Sequence, residues 1–179
     1  MQHLDSPLKY KVGDLIDAAK SGEVDVIAHG CNCFNTMKSG IAPKIAKAFP
    51  EAWHADQETE KGCREKLGKL SAAFIDDRLL VFNLYTQYNF TGRRQGKMDL
   101  CYWALRSALD NMAARLHAKC RILDKPTDRV RIGLPKIGAG LAGGDWNIIS
   151  KIIAGRLSDF DVTIYVLEEK ELVNNNESP

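Results

Sequence analysis

The stretch GLPKIGAGLAGGDW, residues 133–146, places a glycine-rich turn directly after an apolar run, RVRIGL. Gly138, Gly140 and Gly143 form the pattern G-x-G-x-x-G, which is typical of dinucleotide-binding turns. In those proteins the turn follows the first strand of a βαβ unit, and further strands come after it. Here the pattern predicts only one helix and one strand beyond the turn. The stretch therefore favours a loop that holds phosphate through backbone N–H groups over a nicotinamide or flavin site, with a merely tight turn as the alternative.

A second loop of the same kind lies in HGCNCFNTMKSGIAPKIAKAFP, residues 29–50. A β-rich run, Val24 to His29, leads through small and polar residues into a helical segment that stops at Pro50. In parallel α/β sheets, ligands bind beyond the carboxyl ends of the strands. Two such loops on neighbouring strands would share one crevice and clamp a diphosphate between their backbone N–H groups.

The rest of the chain alternates strand and helix patterns. Asp76 to Arg78 separate two apolar runs and indicate a hairpin, while apolar residues between Asp99 and Lys119 recur at helical spacing. Asp145 is placed to cap a helix that reaches Asp159. The remaining expected elements are strands at 8–12, 129–134 and 161–167 and helices at 15–20 and 51–63. The pattern predicts an α/β fold in which helices cover both faces of a mixed sheet.

Composition describes an ordinary globular chain. The 179 residues are 45% hydrophobic and 27% charged, and the net charge of +2 argues against binding driven by bulk attraction to phosphate. No apolar run approaches the roughly 20 residues of a membrane span, and the first ten residues lack the apolar core of a secretion signal. We expect a cytoplasmic protein.

The segment HGCNC places His29, Cys31 and Cys33 at alternate positions, which suggests a metal site. Zinc sites in proteins draw four ligands from two separated pairs, and the sequence has no second C-x-x-C or H-x-x-x-H. The five cysteines are scattered and odd in number, which does not suit a disulfide framework. We expect reduced thiols, no metal and no cofactor.

Three motifs in order give the chain its resemblance to the macrodomain family of ADP-ribose-binding modules. They are VGDLID at 12–17, HGCNCFNTMKSGIAPKI at 29–45 and LPKIGAGLAGGDW at 134–146, and the likeness runs from about Lys11 to Leu167. It implies a three-layer α/β/α sandwich with a mixed central sheet, as one macrodomain over 1–179 with its core at about 8–168. The polar residues VNNNESP at 173–179 predict a flexible tail. The second motif most resembles the branch that contains the small ADP-ribose 1''-phosphate phosphatases.

The resemblance implies roles for individual residues. Asp14 would accept the adenine amino group, with a helix cap as the alternative, and Asn32 would face the distal ribose, with a bond to its own backbone as the alternative. His29 is either catalytic together with Asn32 or an ordinary satisfied histidine at a strand end. The ligand-binding residues that the resemblance implies are Asp14, Leu15, Ser39, Gly40, Ile41, Ala42, Gly138, Ala139, Gly140 and Leu141.

The chain departs from one branch of the family. Relatives that remove ADP-ribose with a lysine nucleophile carry that lysine where this chain has Gln87, and an aspartate where it has Ala142. Lysine-dependent chemistry should therefore be absent. Hydrolysis of ADP-ribose 1''-phosphate is the favoured activity. Release of ADP-ribose from protein or nucleic acid, non-catalytic reading of ADP-ribose, and nucleic-acid binding through the basic segment at 91–97 are the alternatives.

Overall fold

The structure is a computed structural model that describes residues 8–173. Its strands are β1 (Lys9–Val12), β2 (Val26–Cys31), β3 (Leu70–Ile75), β4 (Leu79–Tyr85), β5 (Arg131–Leu134) and β6 (Asp161–Val166). Its α-helices are α1 (Leu15–Ser21), α2 (Ala42–Ala48), α3 (Pro50–Gln57), α4 (Tyr102–Leu123), α5 (Trp146–Arg156) and α6 (Lys170–Val173). Short 3₁₀ turns lie at Arg64–Lys66, Gly92–Gln95 and Thr127–Arg129.

The six strands form one sheet in the order β1-β6-β5-β2-β4-β3. All neighbouring pairs are parallel except β3 and β4, which form the hairpin expected around Asp76. The mixed sheet that the sequence predicts is confirmed. Because β2 and β5 are neighbours and parallel, the loops that follow them leave the same edge of the sheet.

Helices cover both faces of the sheet and complete the predicted three layers. Helices α1, α2 and α3 bury Leu15, Ile45 and Ala52 against one face. Helices α4 and α5 bury Leu109 and Ile149 against the other face. None of the helices within residues 8–173 is long and apolar enough to cross a membrane.

Local chemistry sets the ends of the helices that flank the two loops. Asp14 caps α1 and Asp145 caps α5, each by accepting backbone N–H bonds at the helix start. Gly22 ends α1 with a φ of 79°, a left-handed conformation that favours glycine. Pro50 stops α2 as expected, and it is also the first residue of α3. Proline suits the first position of a helix, because the backbone N–H that it lacks would have no partner within the helix there.

Several element boundaries differ from the sequence expectation. Helix α3 ends at Gln57 and not at residue 63, and α5 ends at Arg156 and not at residue 159. Strand β2 lies two residues further along than predicted, because its register with β4 runs from Val26 to Cys31. This shift moves His29 from the strand end into the strand. Helix α4 continues to Leu123, where Asp124 adopts a left-handed conformation, and the sequence did not predict α6. Within the predicted tail, only Val173 belongs to the described residues, as the last residue of α6.

Candidate functional site

A crevice runs along the carboxyl edge of the sheet between the loop after β2 and the loop after β5. It consists of four adjoining cavities, which share lining residues such as Gly40, Ser39 and Gln87. A separate cavity of about 370 Å³ lies at the opposite edge of the sheet, beside Asp25 and Val130, and contains none of the predicted site residues. The structure therefore brings the two predicted loops together, as the sequence suggested.

The Asp14 cavity, defined by Asp14, Ile16, Ile41, Pro135 and Leu167, forms one end of the crevice and has a volume of about 280 Å³. Asp14 Oδ1 accepts hydrogen bonds from the backbone N–H groups of Ile16 at 2.8 Å and Asp17 at 3.1 Å. Neither bond uses Oδ2. Leu15 lines the same cavity although most of its side chain is buried in the core. A flat apolar group with a hydrogen-bond donor at its edge would suit this cavity.

The loop cavity lies between residues 39–42 and 137–142 and has a volume of about 180 Å³. Within the described part of the chain, the N–H groups of Ser39, Gly40, Leu141 and Ala142 donate no hydrogen bond to another residue. Ala139 does not line this cavity; its side chain packs against the apolar core instead, because the turn directs it inward. Backbone N–H groups without a hydrogen-bond partner on two adjoining loops can bind an anion.

Thr86 adds a polar group that the sequence analysis missed. Its hydroxyl is buried, lies on the lining of the loop cavity, and has no hydrogen-bond partner among residues 8–173. A Cβ atom on Gly30 would come within 2.8 Å of this hydroxyl, so glycine at that position keeps the space open. Thr86 directly follows β4, and the rule that ligands bind beyond strand ends is the signal that would have found it.

The Asn32 cavity, defined by Gly30, Asn32, Thr36, Asp56 and Gln87, is small, about 40 Å³. Asn32 Nδ2 donates to Thr36 Oγ1 at 2.8 Å, and Asn32 Oδ1 accepts from the Phe34 N–H at 2.8 Å. The bond to Phe34 matches the alternative in which Asn32 supports its own loop. One hydrogen of Nδ2 is not used in these bonds and can reach a ligand.

Gln87 stands where the lysine-dependent relatives would carry their nucleophile. It lines three of the four cavities, and its Nε2 donates to the backbone oxygen of Asn89 at 2.8 Å. Ala142 is buried, and its backbone oxygen accepts from Asp99 and Leu100. An amide and a methyl group can neither form a Schiff base nor accept a proton as a carboxylate does.

The Arg93 cavity, defined by Lys38, Phe90, Arg93, Asp99 and Leu141, opens from the Asn32 end of the crevice and has a volume of about 390 Å³. Phe90 and Leu141 are 47% and 45% exposed, so the cavity has apolar walls as well as cations. Asp99 accepts the Gly92 N–H with both oxygens and holds the basic turn in place. This cavity can take a planar apolar group that carries negative charge.

His29 lies beneath the crevice and lines none of its cavities. Its side chain is fully buried, and its Nε2 is 2.7 Å from Asn83 Oδ1. Asn83 Nδ2 donates to the backbone oxygen of Ala52, so Asn83 Oδ1 is the acceptor and His29 Nε2 carries the proton. Burial lowers the pKa of His29 to about 4, which keeps the ring neutral at pH 7. The geometry is that of a satisfied core histidine, the alternative that the sequence left open.

The cysteines of HGCNC are buried thiols. Cys31 Sγ lies 3.5 Å from His29 Nε2, and burial raises the pKa of Cys31 and of Cys33. Thiols with raised pKa values are poor nucleophiles and poor metal ligands at pH 7. In the part of the chain that the structure describes, no three His, Cys, Asp or Glu side chains are grouped so that they could hold a metal ion.

Comparison with known sequences identifies relatives over most of the chain. An uncharacterized 17.5 kDa protein in the tk-vs intergenic region of Enterobacteria phage T4 is 37% identical over 161 residues, covering 88% of this chain and 94% of that protein. The ADP-ribose 1''-phosphate phosphatase of Candida albicans is 28% identical, with coverages of 78% and 86%. The DNA ADP-ribosyl glycohydrolase of Mycobacterium tuberculosis is 24% identical over 88% of this chain but only 42% of its own length. A scan of protein-family models gave no match.

Solved structures show the same fold. A Bacteroides thetaiotaomicron protein of unknown function has a TM-score of 0.72 at 26% identity and covers 88% of this chain and 96% of its own. The macrodomain of Mycobacterium tuberculosis DarG has a TM-score of 0.65 at 20% identity, again over 88% and 96%. These relatives agree with the geometry of the crevice, in which the loops after β2 and β5 meet at the carboxyl edge of the sheet. The chain belongs to the macrodomain family.

Proposed function

We propose that this macrodomain binds ADP-ribose in its crevice and hydrolyses ADP-ribose 1''-phosphate to ADP-ribose and phosphate. The observation that carries the proposal is the order of the cavities. The Asp14 cavity, the loop cavity and the Asn32 cavity follow one another along one edge of the sheet. This order suits an adenosine, a diphosphate and a second ribose in turn.

The diphosphate would lie in the loop cavity. Residues 39–40 and 141–142 line it from both sides, and their N–H groups donate no hydrogen bond within the described part of the chain; the buried Thr86 hydroxyl can add a donor. Backbone donors with fixed positions bind phosphate oxygens without the entropy cost of ordering long side chains. The adenine would lie in the Asp14 cavity, where the Asp14 carboxylate accepts a hydrogen bond from its amino group.

The reacting end would lie at the Asn32 cavity. A water oxygen bonds to the terminal phosphorus, the bond from phosphorus to the C1'' oxygen breaks, and that oxygen leaves with a proton as the ribose hydroxyl. Asn32 holds the distal ribose, and the loop N–H groups stabilise the charge that develops on the phosphate. We assign His29 no proton transfer, because its buried, neutral ring faces Asn83 rather than the crevice.

Two further observations support this substrate. The Candida albicans relative, which is named an ADP-ribose 1''-phosphate phosphatase, matches most of this chain and is itself covered for 86% of its length. Lys38 lines both the Asn32 cavity and the Arg93 cavity, where its charge would attract a terminal phosphate. A water-based reaction also needs no lysine nucleophile, which agrees with Gln87 in that place.

A second candidate function is the release of ADP-ribose from nucleic acid, and the Arg93 cavity favours it. A single phosphate does not need about 390 Å³ of space with exposed apolar walls. A nucleobase would stack on Phe90, while Arg93 and Arg94 would contact the phosphates of the nucleic-acid backbone beside it. The Mycobacterium tuberculosis relative is named a DNA ADP-ribosyl glycohydrolase.

The test is to incubate the protein separately with ADP-ribose 1''-phosphate, an ADP-ribosylated DNA oligonucleotide and an ADP-ribosylated protein. We expect phosphate release from the first, with a kcat that Asn32→Ala lowers about 100-fold, as loss of a positioning donor commonly does. ADP-ribose affinity should change far less. Release of ADP-ribose from the oligonucleotide without phosphatase activity would select the second candidate. Tight ADP-ribose binding without any release would make the protein a reader.

A further inference from the structure

A buried carboxylate lies at the reacting end of the crevice, where sequence analysis found none. Asp56 belongs to α3, is 1% exposed and lines the Asn32 cavity together with Asn32 and Gln87. Its Oδ1 accepts a hydrogen bond of 2.8 Å from the Tyr85 hydroxyl, and its Oδ2 accepts only a long one of 3.4 Å from Gln57 Nε2. Burying an ionised carboxylate costs folding free energy unless it is well paired, and Oδ2 of Asp56 has only the long bond to Gln57.

The surroundings of Asp56 fix its position. The backbone oxygen of Asp56 accepts from Asn35 Nδ2 at 3.1 Å and from Thr59 Oγ1 at 2.6 Å. Lys66 donates to Asn35 Oδ1 and to the backbone oxygen of Cys33, so it ties the loop after β2 to the same cluster. The cluster holds the loop that carries Asn32 and the Asp56 carboxylate in one rigid unit.

The Asn32 cavity is large enough for water. Its volume of about 40 Å³ exceeds the 10–15 Å³, roughly, that one water needs, and polar groups surround it. A general base must lie within hydrogen-bond reach of the proton that it removes. A water in this cavity would lie between Asp56 and the terminal group of a ligand held by Asn32.

We infer that Asp56 is the general base for the attacking water and supplies the carboxylate that Ala142 cannot. The inference rests on the proposed function. The Asp56 carboxylate takes one proton from the water while the water oxygen bonds to phosphorus, and the bond from phosphorus to the C1'' oxygen breaks. The proton then passes from Asp56 to the departing ribose oxygen, which restores the carboxylate and balances the reaction.

The charges around Asp56 suit this role. Burial raises the pKa of the Asp56 carboxyl above its usual range, while the Tyr85 hydroxyl from β4 and the Lys66 ammonium act in the opposite direction. Cys31 and Cys33, from β2 and the loop after it, are protonated at neutral pH because burial raises their pKa values. A carboxylate with a raised pKa is a better base and is still ionised above that pKa. Activity should therefore fall as the pH drops through it.

The test compares wild type with Asp56→Asn, which keeps the shape of the side chain and an acceptor for Tyr85. We expect kcat to fall by about 10²–10⁴-fold, the usual scale for a lost general base, and the fall in rate at acid pH to disappear. ADP-ribose affinity should stay within about threefold, since no binding contact is removed. Asp25→Asn, a hydrogen-bonded carboxylate at the opposite edge of the sheet, is the control and should keep wild-type activity.

Two further measurements keep the inference open to refutation. If Asp56→Asn does not fold, Tyr85→Phe takes its place. Loss of the hydroxyl that stabilises the charged carboxylate should raise the pKa of Asp56 and so move the acid limb of the pH profile to higher pH. The second measurement is the binding of inorganic phosphate to the ADP-ribose complex, which should tighten at least threefold, roughly, in Asp56→Asn because a facing negative charge is gone.

The outcomes separate the two proposals. A wild type that releases no phosphate refutes the proposed substrate, and phosphate binding alone then decides on Asp56. Unchanged phosphate binding would overturn the inference in that case. If wild type is active, an Asp56→Asn variant with wild-type kcat and pH profile overturns the inference and leaves the proposed function standing.

Discussion

Asp14 shows how one side chain can serve both the fold and a ligand. It caps α1 through Oδ1, which accepts two backbone N–H bonds, and neither of them uses Oδ2. The same residue lines the Asp14 cavity, so Oδ2 can accept a hydrogen bond from an adenine amino group. The two interpretations that the sequence leaves open are therefore compatible, and different substitutions separate them.

Asp14→Ser should keep the cap and lose the adenine contact. Serine caps helices about as well as aspartate, so the free energy of unfolding should change by less than about 0.5 kcal/mol. ADP-ribose affinity should fall about tenfold, since hydrogen bonds to charged groups contribute roughly 1.5–3 kcal/mol. Calorimetric titration and denaturant unfolding measure the two effects. Asp17→Ser, in the exposed first turn of α1, is the matched control, and equal affinity in both variants would leave Asp14 as a cap alone.

At the residue scale, side-chain environments were the hardest feature to predict. The loop around Asn32 could be predicted because it follows a β-rich run and resembles a motif of the macrodomain family. The burial of His29 could not be predicted. It follows from the position of β2, which lies two residues further along the chain than expected because of its pairing with β4. The burial of Asp56 could not be predicted either, because an aspartate in a polar helical segment is usually exposed.

At the scale of elements, the glycines of the loop after β5 have two different roles: some are required by close packing, and one lines the loop cavity. A Cβ on Gly138 would lie 2.8 Å from Leu100, and the φ of 73° there favours glycine. Gly144 has equally little room beside Leu100 and the Gly138 backbone oxygen. Gly140, by contrast, has no atom within 4 Å of such a Cβ, and the same position lines the loop cavity. Only Gly140 can therefore be enlarged at little cost to the fold.

Gly140→Glu should fold and fail to bind ADP-ribose. The added carboxylate would project into the loop cavity, occupy the place of a phosphate and repel the ligand's negative charge. We expect at least a 100-fold loss of affinity by calorimetric titration and a wild-type circular dichroism spectrum. Gly155→Glu adds the same side chain at another open position, on α5, and should bind normally. Normal binding by Gly140→Glu would show that the loop serves only as a turn.

The elements themselves were largely predictable. The hairpin of β3 and β4, the apolar stripe of α4 and the Asp145 cap of α5 are confirmed, because each depends on local periodicity or on a side chain at a helix end. The Asp14 cap of α1, which the sequence offered as an alternative, is also present. Helix α6 escaped prediction because its four residues are too few to show a period. The exposed Ile122 and Leu123 at the end of α4 likewise follow no stripe.

At the scale of the whole molecule, the sheet order turns two separate loops into one crevice. The sequence predicts that each loop follows a strand, but only the adjacency of β2 and β5 places both at the same point of the edge. The Arg93 cavity needs a third segment, at residues 90–99, which the sequence presented only as a basic loop. Cavities between distant segments depend on packing, which local patterns do not encode.

The most direct test of the central claim is the thermal midpoint of the wild-type protein with ADP-ribose and with NADH. A ligand at 100 times its Kd stabilises the folded state by about 2.7 kcal/mol, which corresponds to a rise of roughly 5–10 °C for a domain of this size. The account predicts such a rise with ADP-ribose and a much smaller one with NADH at equal concentration. No rise with ADP-ribose, or an equal rise with NADH, would contradict it.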